Sequence, residues 1–81
     1  MASILIAEDA PAINNLMAAN LRLVGHSCDQ AFTGDQALEM AAQKTYDLVL
    51  LDVMLPGVDG FAVKSRLQPD QPVIFVTAKT S

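Results

Sequence analysis

VLLDVMLPGVDG, residues 49–60, is an apolar run that meets a single aspartate, Asp52, and then breaks into a turn-rich loop. With the residues before it the run reads YDLVLLD, without polar alternation. A strand that does not alternate is covered on both faces, as in parallel sheets flanked by helices. The stretch therefore predicts a buried strand that delivers one carboxylate at its exit.

The same grammar extends in both directions. Upstream, Ser3 to Ala7 (SILIA) reads as a short strand stopped by Glu8 and Asp9. Pro11 suits a helix first turn, where its missing N–H costs nothing, and apolar positions 13, 16, 17, 21 and 24 form a helical stripe ended by Gly25. Ser27 to Phe32 (SCDQAF) is a weak strand, assigned by its place between two helices. Thr33 and Gln36 have the spacing of a capping box and open a second helix, with Ala37, Leu38 and Ala41 as its apolar face. Downstream, Pro56 to Gly60 leads into a short third helix carrying Phe61, Val63 and Leu67. A turn over 68–72 then precedes a second non-alternating strand, Val73 to Val76 (VIFV), and the chain stops at TAKTS. The order is βαβαβαβ, which predicts an α/β fold with a parallel sheet and right-handed crossovers.

Composition narrows the function classes. At 81 residues the chain is one domain at most, burying only about 60% of its unfolded surface. An apolar content of 52%, before the 4 glycines are added, exceeds the roughly 45–50% usual for a soluble domain: either helices cover both sheet faces, or the chain is a piece of something larger. The net charge of −4 argues against binding nucleic acid or an anionic membrane through charge. The lone cysteine, Cys28, excludes an internal disulfide framework and fits a reducing compartment. There is neither a membrane-length apolar run nor a basic signal region, so the expectation is a cytoplasmic domain.

In an open parallel sheet, ligands bind beyond the carboxyl ends of the strands. Those ends supply Glu8 and Asp9, Asp52 and Thr77. If the first and third strands are neighbours, three carboxylates converge, and such a cluster must take up a proton or a cation. Oxygen-only ligands suit Mg2+. Taken singly, each residue has a plainer reading: acids at a helix start, a turn cap, an ordinary strand threonine. Their shared edge is what favours function. A nucleotide-binding loop is missing, His26 stands away from the acids in a turn, and Cys28 reads as a small core residue. A phosphatase of the haloacid-dehalogenase type needs a second aspartate where Met54 stands.

ILIAED, VLLDVMLPGVDG and VIFVTAK, in this order and spacing across all 81 residues, resemble the receiver (response-regulator) domain of bacterial two-component signalling. The resemblance implies a flavodoxin-like parallel sheet of strand order 2-1-3-4. It implies Asp52 as phosphoacceptor, with Glu8, Asp9, Asp52 and the Met54 carbonyl around Mg2+, Glu8 acting through water. Thr77 would bond a phosphoryl oxygen, Ala78 would leave the site open to the donor, and Pro56 and Gly57 would shape the loop. Implied partners are a histidine kinase or phosphotransfer protein and an output domain or downstream protein; the role is regulatory, not that of a turnover enzyme.

Against that pattern, residues 1–81 correspond to the N-terminal portion of a single receiver domain, truncated after the fourth strand. By the resemblance, the last helix-strand-helix part would carry the phosphate-pairing lysine, which Lys79 does not replace, and an aromatic switch residue, for which Tyr46, ahead of the third strand, is no substitute. The fourth strand then becomes an apolar edge, a template for pairing with another chain, and a homodimer through it is expected. Two readings compete: a Mg2+-dependent phosphoacceptor switch, and a receiver-shaped interaction fragment without phosphotransfer.

Overall fold

The computed structural model describes residues 1–76; Thr77 and Ala78 lie outside the described residues. The elements are β1 (Ser3–Ala7), α1 (Pro11–Leu23), β2 (Ser27–Ala31), α2 (Gly34–Gln43), β3 (Leu48–Asp52), α3 (Gly60–Arg66) and β4 (Val73–Val76). The strands form one parallel sheet in the order β2-β1-β3-β4. That is the predicted order, and it puts the β1 and β3 exits side by side, with Ala7 opposite Leu51.

Each face of the sheet has its own apolar layer. Leu5, Ala7, Val49 and Leu51 point to one side and pack with Ala37 of α2 and Val63 of α3. Ile4, Ile6 and Cys28 point to the other, under Ala18 of α1. The period of two along β1 and β3 thus feeds both layers, which is why neither strand alternates with polar residues. β4 departs from this expectation: Ile74 is 52% exposed, so among the described residues one face of that strand is uncovered.

The stripe expected for α1 also needs rotating. Leu16 and Val24 are exposed, and the helix instead buries Asn14 and Ala18, flanked by half-buried Ile13, Met17 and Leu21. The helix ends as expected at Gly25: its N–H donates to the Arg22 carbonyl and that of His26 to the Leu21 carbonyl, both at 3.0 Å, the paired bonds of a Schellman close. β2 stops at Ala31, one residue before Phe32, because the N–H of Phe32 turns to the Gln36 side chain at 2.8 Å. Thr33 Oγ1 accepts from the N–H of Gln36 at 3.1 Å. The capping box therefore forms, with its return arm reaching Phe32 rather than Thr33.

At the far end of the sheet, His26 is half-buried and its Nδ1 accepts from the N–H of Ala2 at 3.0 Å. It serves the start of β1, and the acidic edge lies at the other end. Tyr46, buried before β3, donates its hydroxyl to Asp29 Oδ2 at 2.7 Å, and Lys44 reaches the same oxygen at 3.2 Å. The hydrogen bond from Tyr46, ahead of the lysine, holds the Asp29 carboxyl below its ordinary value, while burial and Asp29 push the tyrosine hydroxyl up.

Candidate acidic phosphoacceptor site

The site is built by strand exits. Glu8 and Asp9 follow the last residue of β1, and Asp52 is the last residue of β3. One carboxylate oxygen from each lies within 4.8 Å of the others. Glu8 and Asp52 are buried and Asp9 is exposed, so the cluster has a sunken floor and one arm toward solvent. The structure brings these three predicted residues together.

Local hydrogen bonds fix the floor. Glu8 Oε2 accepts from the N–H of Ala10 at 2.9 Å, and Asp52 Oδ1 accepts from the N–H of Met54 at 3.2 Å. Burial raises the pKa of the Glu8 carboxyl above its ordinary value; the Ala10 N–H opposes this, and nearby Asp9 and Asp52 add to it. Removed from water and beside two other acids, this carboxylate has no cationic partner among the described residues. An all-oxygen donor set at this spacing fits a small hard dication such as Mg2+, which binds a few carboxylates and keeps several waters.

The loop after β3 forms the neighbouring wall. Asp9, Val53, Met54, Leu55, Pro56, Asp59 and Phe61 line an open cleft of about 590 Å3. Met54 thus borders the same cleft as Asp9, its amide committed to Asp52. Gly57 takes a φ of +79°, a region that favours glycine, and the Val58 N–H closes the turn on the Pro56 carbonyl at 3.1 Å. Asp59 caps α3, its Oδ1 accepting from the N–H of Ala62 at 2.9 Å. At Gly60 a Cβ would run into the backbone of Asp52 and Val53, so only glycine lets α3 begin this close to the β3 exit. Phe61 is exposed on the cleft side and meets Phe75 of β4, ring centroids 5.0 Å apart.

Sequence reasoning missed Asn14. It is fully buried, and its amide donates to the carbonyl of Glu8, just past β1, and to that of Ala31, the last residue of β2. Positions 14, 17, 18 and 21 share a helix face, but nothing local to Asn14 signals the two carbonyls it meets, which come from elsewhere in the chain.

Comparison with known proteins agrees with this geometry. Residues 4–81 match the response regulator receiver domain, and the chain belongs to that family. It is 43% identical to the DNA-binding dual master transcriptional regulator RpaA of Synechocystis sp., over 96% of this chain and 34% of that protein. It is 42% identical to the transcriptional regulatory protein DltR of Streptococcus agalactiae, over 95% of this chain and 36% of that protein. The chain thus spans about a third of the length of these curated relatives. Among solved structures, the response regulator TrrA of Thermotoga maritima, in complex with Mg2+ and BeF, superposes with a TM-score of 0.92 at 34% identity, over 99% of this chain and 72% of that one.

Proposed function

We propose that this chain is a phosphoacceptor segment of two-component signalling, phosphorylated on Asp52 by a histidine kinase or phosphotransfer protein. The observation that carries the reading is the convergence of Glu8, Asp9 and Asp52, with carboxylate oxygens within 4.8 Å of one another at the exits of adjacent parallel strands.

Asp52 is the nucleophile. Its carboxylate oxygen attacks phosphorus, a P–O bond forms as the donor's P–N bond breaks, and the electron pair leaves with the imidazole. Asp9, Asp52, the Met54 carbonyl and Glu8 would hold Mg2+, which would neutralise the acids and the phosphoryl oxygens. The Met54 N–H orients the Asp52 carboxylate, and Gly57 and Gly60 keep the loop close to it. By the family resemblance, Thr77 would bond a phosphoryl oxygen and Ala78, as a small residue, would suit the donor's approach. The added charge then biases the loops around the site, and an output domain or downstream protein reads that bias. The regulatory names of RpaA and DltR support a gene-regulatory output and a cytoplasmic setting.

The test is Mg2+-dependent binding of beryllofluoride, followed by fluorine NMR. A bound signal that requires Mg2+ and vanishes in Asp52→Asn supports the reading; no bound signal in the wild-type chain overturns it. A second reading, pairing of copies through β4 without phosphotransfer, is favoured by the exposed Ile74 on that strand.

A further inference from the structure

We infer that Asn14 is a positioning residue for the acidic pair, clamping the peptide that presents Glu8 and Asp9 to a divalent cation; this rests on the cation-binding reading above. Asn14 is 0% exposed, and every polar atom of its side chain is used. Its Nδ2 donates to the Glu8 carbonyl and to the Ala31 carbonyl, both at 2.9 Å. Its Oδ1 accepts from Gln30 Nε2 at 3.0 Å. An amide whose two N–H groups face carbonyls and whose oxygen faces a donor has its orientation fixed by its neighbours.

The geometry closes a ring. The N–H of Glu8 donates to the Ala31 carbonyl at 3.1 Å, the same oxygen that Asn14 Nδ2 holds. The Asn14 amide therefore ties both ends of the Glu8 residue: its carbonyl directly, and its N–H through the shared Ala31 oxygen. From the main chain, the Asn14 N–H donates to the Ala10 carbonyl at 2.9 Å, while the N–H of Ala10 holds Glu8 Oε2. One helical residue thus fixes the backbone on both sides of Asp9, just past the point where β1 and β2 have ended and the sheet no longer orders it.

Burial makes this arrangement consequential. The Glu8 carbonyl lies just beyond β1 and that of Ala31 at the end of β2; an apolar side chain at position 14 would take the Asn14 donor from the Glu8 carbonyl and leave the Ala31 carbonyl only the Glu8 N–H, where water does not reach. The backbone would shift to recover those bonds, and the acids ride on that backbone. Groups that orient metal ligands from behind typically tune affinity by about 10–100-fold.

The experiment uses Mn2+ as a probe of the divalent site, free ion being counted by electron paramagnetic resonance, on the 81-residue chain. Asn14→Leu is compared with Leu21→Ala, a change on the same helix away from the acids, and thermal stability is measured without metal for both. The expected result is about tenfold weaker Mn2+ binding in Asn14→Leu, with Leu21→Ala within about twofold of wild type despite its lower stability. Faster amide hydrogen exchange at Glu8 should accompany the loss in Asn14→Leu alone. If Asn14→Leu does not fold, Asn14→Ala, which leaves room for a water, gives the same comparison. Equal Mn2+ affinities in the Asn14 variant and wild type, or losses that merely track stability in both variants, overturn the inference. Asp9→Asn separates the two levels: if it binds Mn2+ as well as wild type does, the acidic site itself is not the cation site and the underlying reading fails.

Discussion

The N–H of Gly60 donates to the carbonyl of Val53 at 2.8 Å, which seats the first residue of α3 directly on the backbone leaving β3. A methyl group at position 60 would press on the Asp52 and Val53 main chain. Gly60→Ala should therefore destabilise the fold by about 1–3 kcal/mol, the usual range for overpacking. Because the displaced backbone carries Asp52, Mn2+ affinity should fall as well. Denaturant titration and the Mn2+ measurement check the two effects together.

Glu8 is buried close to Asp9 and Asp52, and burial raises its carboxyl above its ordinary value. Glu8→Gln keeps an oxygen for the Ala10 N–H and removes the charge. The metal-free variant should melt higher than wild type at pH 7, each kcal/mol gained appearing as roughly 4–8 °C in a domain of this size. Added Mg2+ should raise the melting temperature of wild type more than that of the variant, because only a ligand that binds the native state stabilises it. Calorimetry with and without Mg2+ reads both.

Tyr46→Phe removes the hydroxyl that donates to Asp29 at 2.7 Å. A hydrogen bond to a charged group contributes about 1.5–3 kcal/mol, and the exposure of Asp29 on its lysine side places the expected loss toward the low end. The sign with pH follows from the lowered Asp29 carboxyl. Its stabilisation is present above the ordinary value of 3.8 and disappears as pH falls through the lower folded value. The wild type and Tyr46→Phe should therefore differ at pH 7 and converge in strong acid. Urea melts between neutral pH and the acid limit of folding measure the gap.

β4 has one strand neighbour, β3, among the described residues, and Ile74 is 52% exposed on it. Such an edge can pair with a second chain. Size-exclusion chromatography with light scattering should show mass rising with concentration, and Ile74→Lys should hold the chain as a monomer. A wild-type chain that stays monomeric throughout would remove the pairing reading.

What could be read in advance follows from how many signals agreed. YDLVLLD and SILIA are apolar without alternation, and that alone placed them in a two-sided sheet; Glu8, Asp9 and Asp52 then had to share an edge once β1 and β3 were neighbours. Asn14 was illegible for the opposite reason. A polar residue in a helix is normally placed in water, so the apolar stripe reads through Leu16 and Val24, which the structure leaves exposed. Its burial depends on two carbonyls from separate strands, and no local pattern encodes that meeting. The Tyr46–Asp29 bond is hidden in the same way, joining residues of β2 and the approach to β3. Phe61, read only as an apolar residue of the third helix, faces the cleft and pairs with Phe75 of β4, a contact between residues distant in sequence.

The central claim is that Asp52 accepts a phosphoryl group with the help of a cation held beside it. Incubating the chain with acetyl phosphate and Mg2+, then weighing it by intact-mass spectrometry, tests this most directly. Wild type should gain one phosphoryl group, a gain abolished by chelation of Mg2+ and absent in Asp52→Asn. No gain in wild type, or an equal gain in Asp52→Asn, would contradict it.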